Sequence, residues 1–271
     1  MSAGLARRGH TTNLVGVPTG LLASAVFNEY PVPLRIAGVR ELNHGLFDKL
    51  DTAVSAEHAA QSFVDYMGVV FGLHQEHREG IDSAGTRRYR SSYIRLLKGW
   101  GYDTNSREGA VLKGWVESRF GLFPLFHKEP ILSFSSPPWI TYIEEKMSSR
   151  FHNNSIYTQL DLLYEFCQIA LARFFQVGHK TITLYRGVND FTEHQLVEQI
   201  DTRTAVIRIN NLVSFSSERD IASQFGDYIL EARVPVAKVV FFNSLLPRHP
   251  LKGEAEYLVI GGDYQVSIAY L

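Results

Sequence analysis

Residues Ser155 to Val188 read SIYTQLDLLYEFCQIALARFFQVGHKTITLYRGV. In the first part Ile156, Leu160, Leu163, Cys167, Ala170, Leu171 and Phe174 recur at intervals of three and four, which makes one apolar face of a long helix. Ser155 is placed to cap that helix and Gly178 to end it. From Thr181 the period falls to two, the spacing of a strand. The switch at Gly178 divides the chain: helices are expected before it and strands after it.

Toward the C-terminus the strand pattern continues over Ala205 to Ile209, Leu212 to Ser216, Tyr228 to Val234, Lys238 to Phe242, Tyr257 to Ile260 and Tyr264 to Tyr270. Two short helices are expected among them, one opened by a capping-box pattern of Thr192 with Gln195, the other opened by Ser217 with Asp220 and closed by Gly226. Gly261-Gly262 reads as a turn between the last two strands. Toward the N-terminus, Ala56 to Leu73, Arg87 to Trp100 and Arg107 to Phe120 carry helical spacing. Gly121 to Trp139 holds Pro124, Pro130, Pro137 and Pro138 among aromatics and reads as an irregular connection. The fold class is α+β, a helical part over residues 1–178 leading into an antiparallel, sandwich-like sheet over residues 179–271, in one domain of 271 residues.

Composition narrows the function classes. A chain 45% hydrophobic and 20% charged has the apolar material for a large core. A net charge of −1 gives no general reason to bind nucleic acid. The one cysteine, Cys167, lies on the apolar face of the long helix, so no internal disulfide forms and a reducing compartment, the cytoplasm, is expected. Arg7 and Arg8 precede an apolar run from Leu14 to Phe27 with Ala23-Ser24-Ala25 inside it, but Gly16, Pro18, Thr19 and Gly20 break that run, and export is not expected. Membrane insertion is not expected either, because even Leu160 to Phe175 carries Asp161, Glu165 and Arg173. His74 and His77 flank Glu76 without the ligand pattern of a zinc protease, so no metal is implied.

Three segments of the strand region carry chemistry. In Leu184-Tyr185-Arg186-Gly187 a guanidinium stands at a strand end, suited to gripping phosphate, beside a glycine that permits close approach to the backbone. Alone, such an arginine is more often half of a structural ion pair. In Val213-Ser214-Phe215-Ser216-Ser217 alternation puts Ser214 and Ser216 on one face and Phe215 on the other, although plain turn chemistry also supplies serines here. In Gly253-Glu254-Ala255-Glu256-Tyr257 two carboxylates two residues apart enter an apolar strand. On one face they can divide the labour of glycosyl chemistry, one stabilising an oxocarbenium-like transition state and the other deprotonating a nucleophile; exposed at a strand entrance they do nothing.

Taken in this order, Arg186, Ser214-Phe215-Ser216 and Glu254-Ala255-Glu256 resemble the R-S-E signature of mono-ADP-ribosyltransferases, in the E-x-E form associated with arginine as acceptor. The departure is Phe215, where the serine motif usually carries threonine. His10-Thr11-Thr12-Asn13-Leu14-Val15-Gly16-Val17-Pro18, Leu21-Leu22-Ala23-Ser24, the length and the helical first part are similar to the dinitrogenase reductase ADP-ribosyltransferases of nitrogen-fixing bacteria. That resemblance implies NAD as substrate, an arginine of dinitrogenase reductase as acceptor, release of nicotinamide, a switch that turns nitrogen fixation off, and a PII-type signalling protein as regulator. It also implies roles. Arg186 holds NAD through its pyrophosphate or braces the strand beneath it, and Gly187 receives the nicotinamide amide. Ser214, flanked by Ser216, fixes Glu256. Glu256 stabilises the ribose cation, and Glu254 orients and deprotonates the target guanidinium. The helical part is the expected docking and regulatory surface. A different protein target, simple NAD hydrolysis and a non-catalytic binding module are the alternatives.

Overall fold

The computed structural model describes residues 9–73, 92–189, 194–247, 251 and 255–270. Four short helices, α1 (Thr19–Leu22), α2 (Ala25–Glu29), α3 (Val39–Leu42) and α4 (His44–Asp51), precede the longer α5 (Ala56–Phe71), α6 (Tyr93–Tyr102), α7 (Arg107–Phe120), α8 (Pro137–Ser148) and α9 (Asn154–Ala170). Caps set the ends of several. Ser55, Ser92, Ser106 and Asn153 each accept a hydrogen bond from a backbone N–H in the first turn, and Gly72 and Gly121 close α5 and α7 in the left-handed conformation. The cap of α9 is thus Asn153 rather than Ser155, because its Oδ1 reaches the N–H of Ile156 at 3.0 Å. The helix expected from Arg87 starts at Tyr93 behind the Ser92 cap, with residues 87–91 outside the described set.

The proline-rich connection is only half irregular. Phe126–His127 (β1) pairs with Glu129–Pro130 (β2), and Pro137-Pro138 open α8, where a proline's missing N–H costs no helical bond. Asp161 and Glu165, which interrupt the apolar run of α9, are buried and partnered. Arg119 grips Asp161 with two N–H groups (2.8 and 2.9 Å) and the indole of Trp115 adds a third (2.7 Å), while Glu165 accepts from Arg40 (2.6 Å) and the N–H of Ile36 (2.7 Å). The carboxylates therefore bind the first helices and α7 to the central helix.

The remaining strands are β3 (Thr181–Val188), β4 (Gln195–Gln199), β5 (Thr204–Ser216), β6 (Tyr228–Pro235), β7 (Val239–Phe242) and β8 (Glu256–Tyr270), joined antiparallel in the order β4-β5-β3-β6-β8-β7, with β5 also pairing β8. The α+β expectation holds, with two corrections. Two pairs of short strands are each one long strand, so Gly261-Gly262 is no turn: Asn210 and Asn211 bulge out of β5 opposite Gly261, and the two strands run on past each other. Gln195 begins a strand and not a helix, since pairing with Ala205 to Arg208 of β5 overrides the local cap signal; Thr192 lies outside the described residues. Helix α9 lies on β7, where Tyr164 Oη and Gln168 Nε2 donate to the carbonyls of Ala237 and Val239. One continuous core runs from Phe63 and Trp100 in the helices through Phe166 to Leu258 in the sheet. No helix among the described residues is long and apolar enough to cross a membrane.

Candidate active site

Strands β5 and β8 set the centre of the site. Their register puts Ser216 opposite Glu256 and Ser214 opposite Leu258, so Ser214 and Glu256 are diagonal neighbours on one face. The Ser214 hydroxyl donates to Glu256 Oε1 at 2.5 Å. This is a short hydrogen bond to a carboxylate, of the stronger class. Phe215 points the other way, 4% exposed, and packs toward Tyr264. The residue that departs from the serine motif is therefore a core residue, and the polar face keeps both serines.

Arg186 stands on β3, whose ladder pairing with β5 is Tyr185 opposite Ser216. The Arg186 Nη1 donates to the main-chain carbonyl of Ser214 at 2.8 Å. The guanidinium thereby braces the strand that carries the serines. Ser216 is turned to the following loop, where its Oγ accepts from the N–H of Glu218 at 3.0 Å and leads into the short helix α10 (Arg219–Ala222), which begins behind Glu218 and not at Ser217. A 3-10 turn, Ser223–Phe225, then ends at Gly226.

Gly187 is explained by packing. A side chain there would come within 2.1 Å of the Ala222 carbonyl oxygen, and one at Gly226 within 2.2 Å of Val188. Two bare glycines let the α10 turn close on β3. The close approach to Gly187 is made by the chain itself, while its backbone still lines the cleft.

Arg186, Gly187, Ser214, Ser216 and Glu256 all border one cleft of about 1040 Å³. That volume is at the top of the range of roughly 300–1,000 Å³ usual for ligand sites. The helical part contributes Trp100 to Thr104, at and just after the end of α6, to its lining, and two largely exposed aromatics, Tyr102 (73%) and Phe225 (66%), also line it. Among the described residues no cluster of His, Cys, Asp and Glu is arranged to hold a metal. Glu254 lies outside the described residues, as do His74 and His77. Sequence reasoning missed Trp100 and His194 as cleft residues. Trp100 reads as one more apolar position on a helix, and nothing local signals the serine it meets.

A family model described as dinitrogenase reductase ADP-ribosyltransferase (DRAT) matches residues 12–268. The chain belongs to this family. A curated relative from Rhodospirillum rubrum, NAD(+)--dinitrogen-reductase ADP-D-ribosyltransferase, is 66% identical over 266 residues, or 97% of this chain and 96% of the relative. No solved structure matches the chain. The DRAT match extends over the helices as well as the sheet, so the cleft residues Trp100 and Glu256 both fall within it.

Proposed function

We propose that this member of the DRAT family transfers ADP-ribose from NAD to an arginine side chain of dinitrogenase reductase, releases nicotinamide, and so switches nitrogen fixation off. The observation that carries the site assignment is the Ser214–Glu256 hydrogen bond inside a cleft of dinucleotide size. Family membership and the name of the 66% identical relative support the substrates.

In this reading the C1′–N bond of the nicotinamide ribose breaks and its electron pair leaves with nicotinamide. The positive charge left on the ribose is met by Glu256, whose carboxylate is held in place before the charge develops. An arginine nitrogen of the target then bonds to the anomeric carbon and gives up a proton. Glu254 orients that guanidinium and accepts the proton, which matters because free arginine stays protonated at neutral pH. Arg186 supports NAD by bracing the strand beneath it, a role in keeping with its bond to the Ser214 carbonyl. Gly187 offers its backbone to the nicotinamide amide and Ser216 shapes the turn beside it. Tyr102 and Phe225, which line the cleft, supply aromatic rings for stacking on the planar rings of NAD. The reading places the enzyme in the cytoplasm with its target. It gives residues 1–178 the docking and regulatory surface, with a PII-type signalling protein as regulator. Exposed substitutions there that leave both target modification and the response to that regulator unchanged would remove this last part.

The test is transfer of labelled ADP-ribose from NAD to purified dinitrogenase reductase. Glu256→Gln is expected to lower the rate by about 10²–10³ or more while NAD still binds. Labelling that survives the substitution overturns the role of Glu256. Absence of labelling by the folded, NAD-binding native chain overturns the target.

A further inference from the structure

Trp100 is buried at 1% exposure where α6 meets the sheet, and its indole N–H donates to Ser214 Oγ at 2.9 Å. The same oxygen donates to Glu256 Oε1 at 2.5 Å. An indole N–H only donates, and a serine hydroxyl has one proton to give. With Trp100 on its acceptor side, Ser214 cannot direct its proton back along that bond. Of these two partners only the carboxylate can take the proton, and the chain Trp100 to Ser214 to Glu256 acquires a single direction.

We propose that Trp100 is a positioning residue for the transfer reaction: it makes the Ser214 hydroxyl an obligate donor to Glu256 and so fixes the carboxylate that faces the departing nicotinamide. This rests on the assignment of Glu256 given above. Ser214 is held from two sides, its main-chain carbonyl by Arg186 and its side chain by Trp100. Its χ1 and its proton are both set before substrate arrives. A hydroxyl without that second partner can turn about its C–O bond and share its proton with water, and the carboxylate then loses part of its preorganisation. The tryptophan comes from the helical part of the chain, 114 residues before the serine, so the helices complete the catalytic face as well as walling the cleft.

The experiment is a double-mutant cycle on the full chain with Trp100→Phe and Ser214→Ala, read as kcat and the KM for NAD in transfer to dinitrogenase reductase, with Glu256→Gln alongside. Trp100→Phe is expected to lower kcat about tenfold with KM changed less than twofold, and the double variant to be no slower than Ser214→Ala alone, because the tryptophan acts only through the serine. An unchanged kcat, or two effects that multiply in the double variant, overturns the inference. Full activity in Glu256→Gln overturns the underlying site assignment and the inference with it; an inactive Glu256→Gln with no Trp100–Ser214 coupling overturns the inference alone. Should Trp100→Phe fail to fold, benzothienylalanine at position 100 keeps the bicyclic shape and lacks only the donor. The same fall in kcat at an unchanged Tm supports the proposal, and an unchanged kcat rejects it.

Discussion

Position 215 shows how one residue can break a motif without touching its chemistry. Strand alternation turns Phe215 into the core while Ser214 keeps its bond to Glu256, so the phenyl ring answers to packing. Phe215→Thr would restore the usual motif, yet it leaves a hole and buries a hydroxyl. Urea unfolding should show a loss of about 3 kcal/mol, near the low end of large-to-small core changes, with kcat for transfer within about twofold of the parent. A variant that gains activity without losing stability would show that the middle position of the motif does act on the site. Glu254 is argued at the same scale from its spacing of two from Glu256. Glu254→Ala is expected to keep measurable NAD hydrolysis and to lose protein modification by at least about 10²-fold, the size of a positioned general base. Equal loss of both activities would contradict the division of labour between the two glutamates.

Among the elements, the crossing of β5 and β8 decides whether the site assembles. The bulge at Asn210 and Asn211 brings the Asn210 carbonyl within 1.7 Å of where a side chain on Gly261 would begin. The bulged asparagines also reach outward: Asn210 Nδ2 donates to the Phe126 carbonyl (2.8 Å) and Asn211 Nδ2 to those of Lys113 and Leu122 (both 2.9 Å), which ties the sheet to α7 and to β1. Gly261→Ala should therefore cost about 3 kcal/mol or more and lower transfer activity with it, because the Glu256 end of β8 is keyed to β5 through this crossing. Gly45→Ala, in open space on α4, is the control, and its melting temperature should hold or rise. Loss of stability in both variants alike would remove the packing explanation. The same crossing marks the boundary of what the sequence reveals. Alternation exposes the strands, and the resemblance of Arg186, Ser214-Phe215-Ser216 and Glu254-Ala255-Glu256 to the R-S-E signature picks out residues of which Arg186, Ser214, Ser216 and Glu256 border the cleft, because both are local or motif-borne signals. A glycine pair that reads as a turn runs on as strand only because a partner some fifty residues away bulges opposite it, Gln195 joins a strand through pairing that its local pattern does not show, and Trp100 gains its meaning from a serine that no helical pattern announces.

For the whole molecule, Lys238 lies where the first helices meet the sheet and carries a charge into the core. It is wholly buried, with its Nζ 5.3 Å from the centre of the Phe27 ring, 4.8 Å from that of Tyr264 and 3.5 Å from the Gly261 carbonyl oxygen. Around it Asp263 pairs with Arg208 (2.7 Å) and its N–H donates to the Ala23 carbonyl (2.7 Å), while Asn28 donates to the Asp263 carbonyl (2.9 Å), so the N-terminal helices are stitched to β8 at this point. Burial pushes the lysine down to about 7, against a partial restoring pull from Asp263. In the unfolded chain it titrates near its ordinary value of 10.5. Between those values the unfolded chain holds a proton that the folded one has released, so stability must rise with pH from about 7 toward 10; below 7 the lysine is charged in both states and its burial penalty is constant. The expected outcome in urea titrations is a midpoint that climbs from pH 7 to pH 9.5 in the native chain and stays level in Lys238→Met. At pH 7 the methionine variant should be the more stable by about 1–4 kcal/mol, the range found when buried charges give way to apolar side chains of similar size. A methionine variant less stable at pH 7, with the slope of the native chain retained, would mean that the two aromatic rings and the Gly261 carbonyl hold the ammonium well enough to offset its desolvation, and that the pH dependence arises elsewhere.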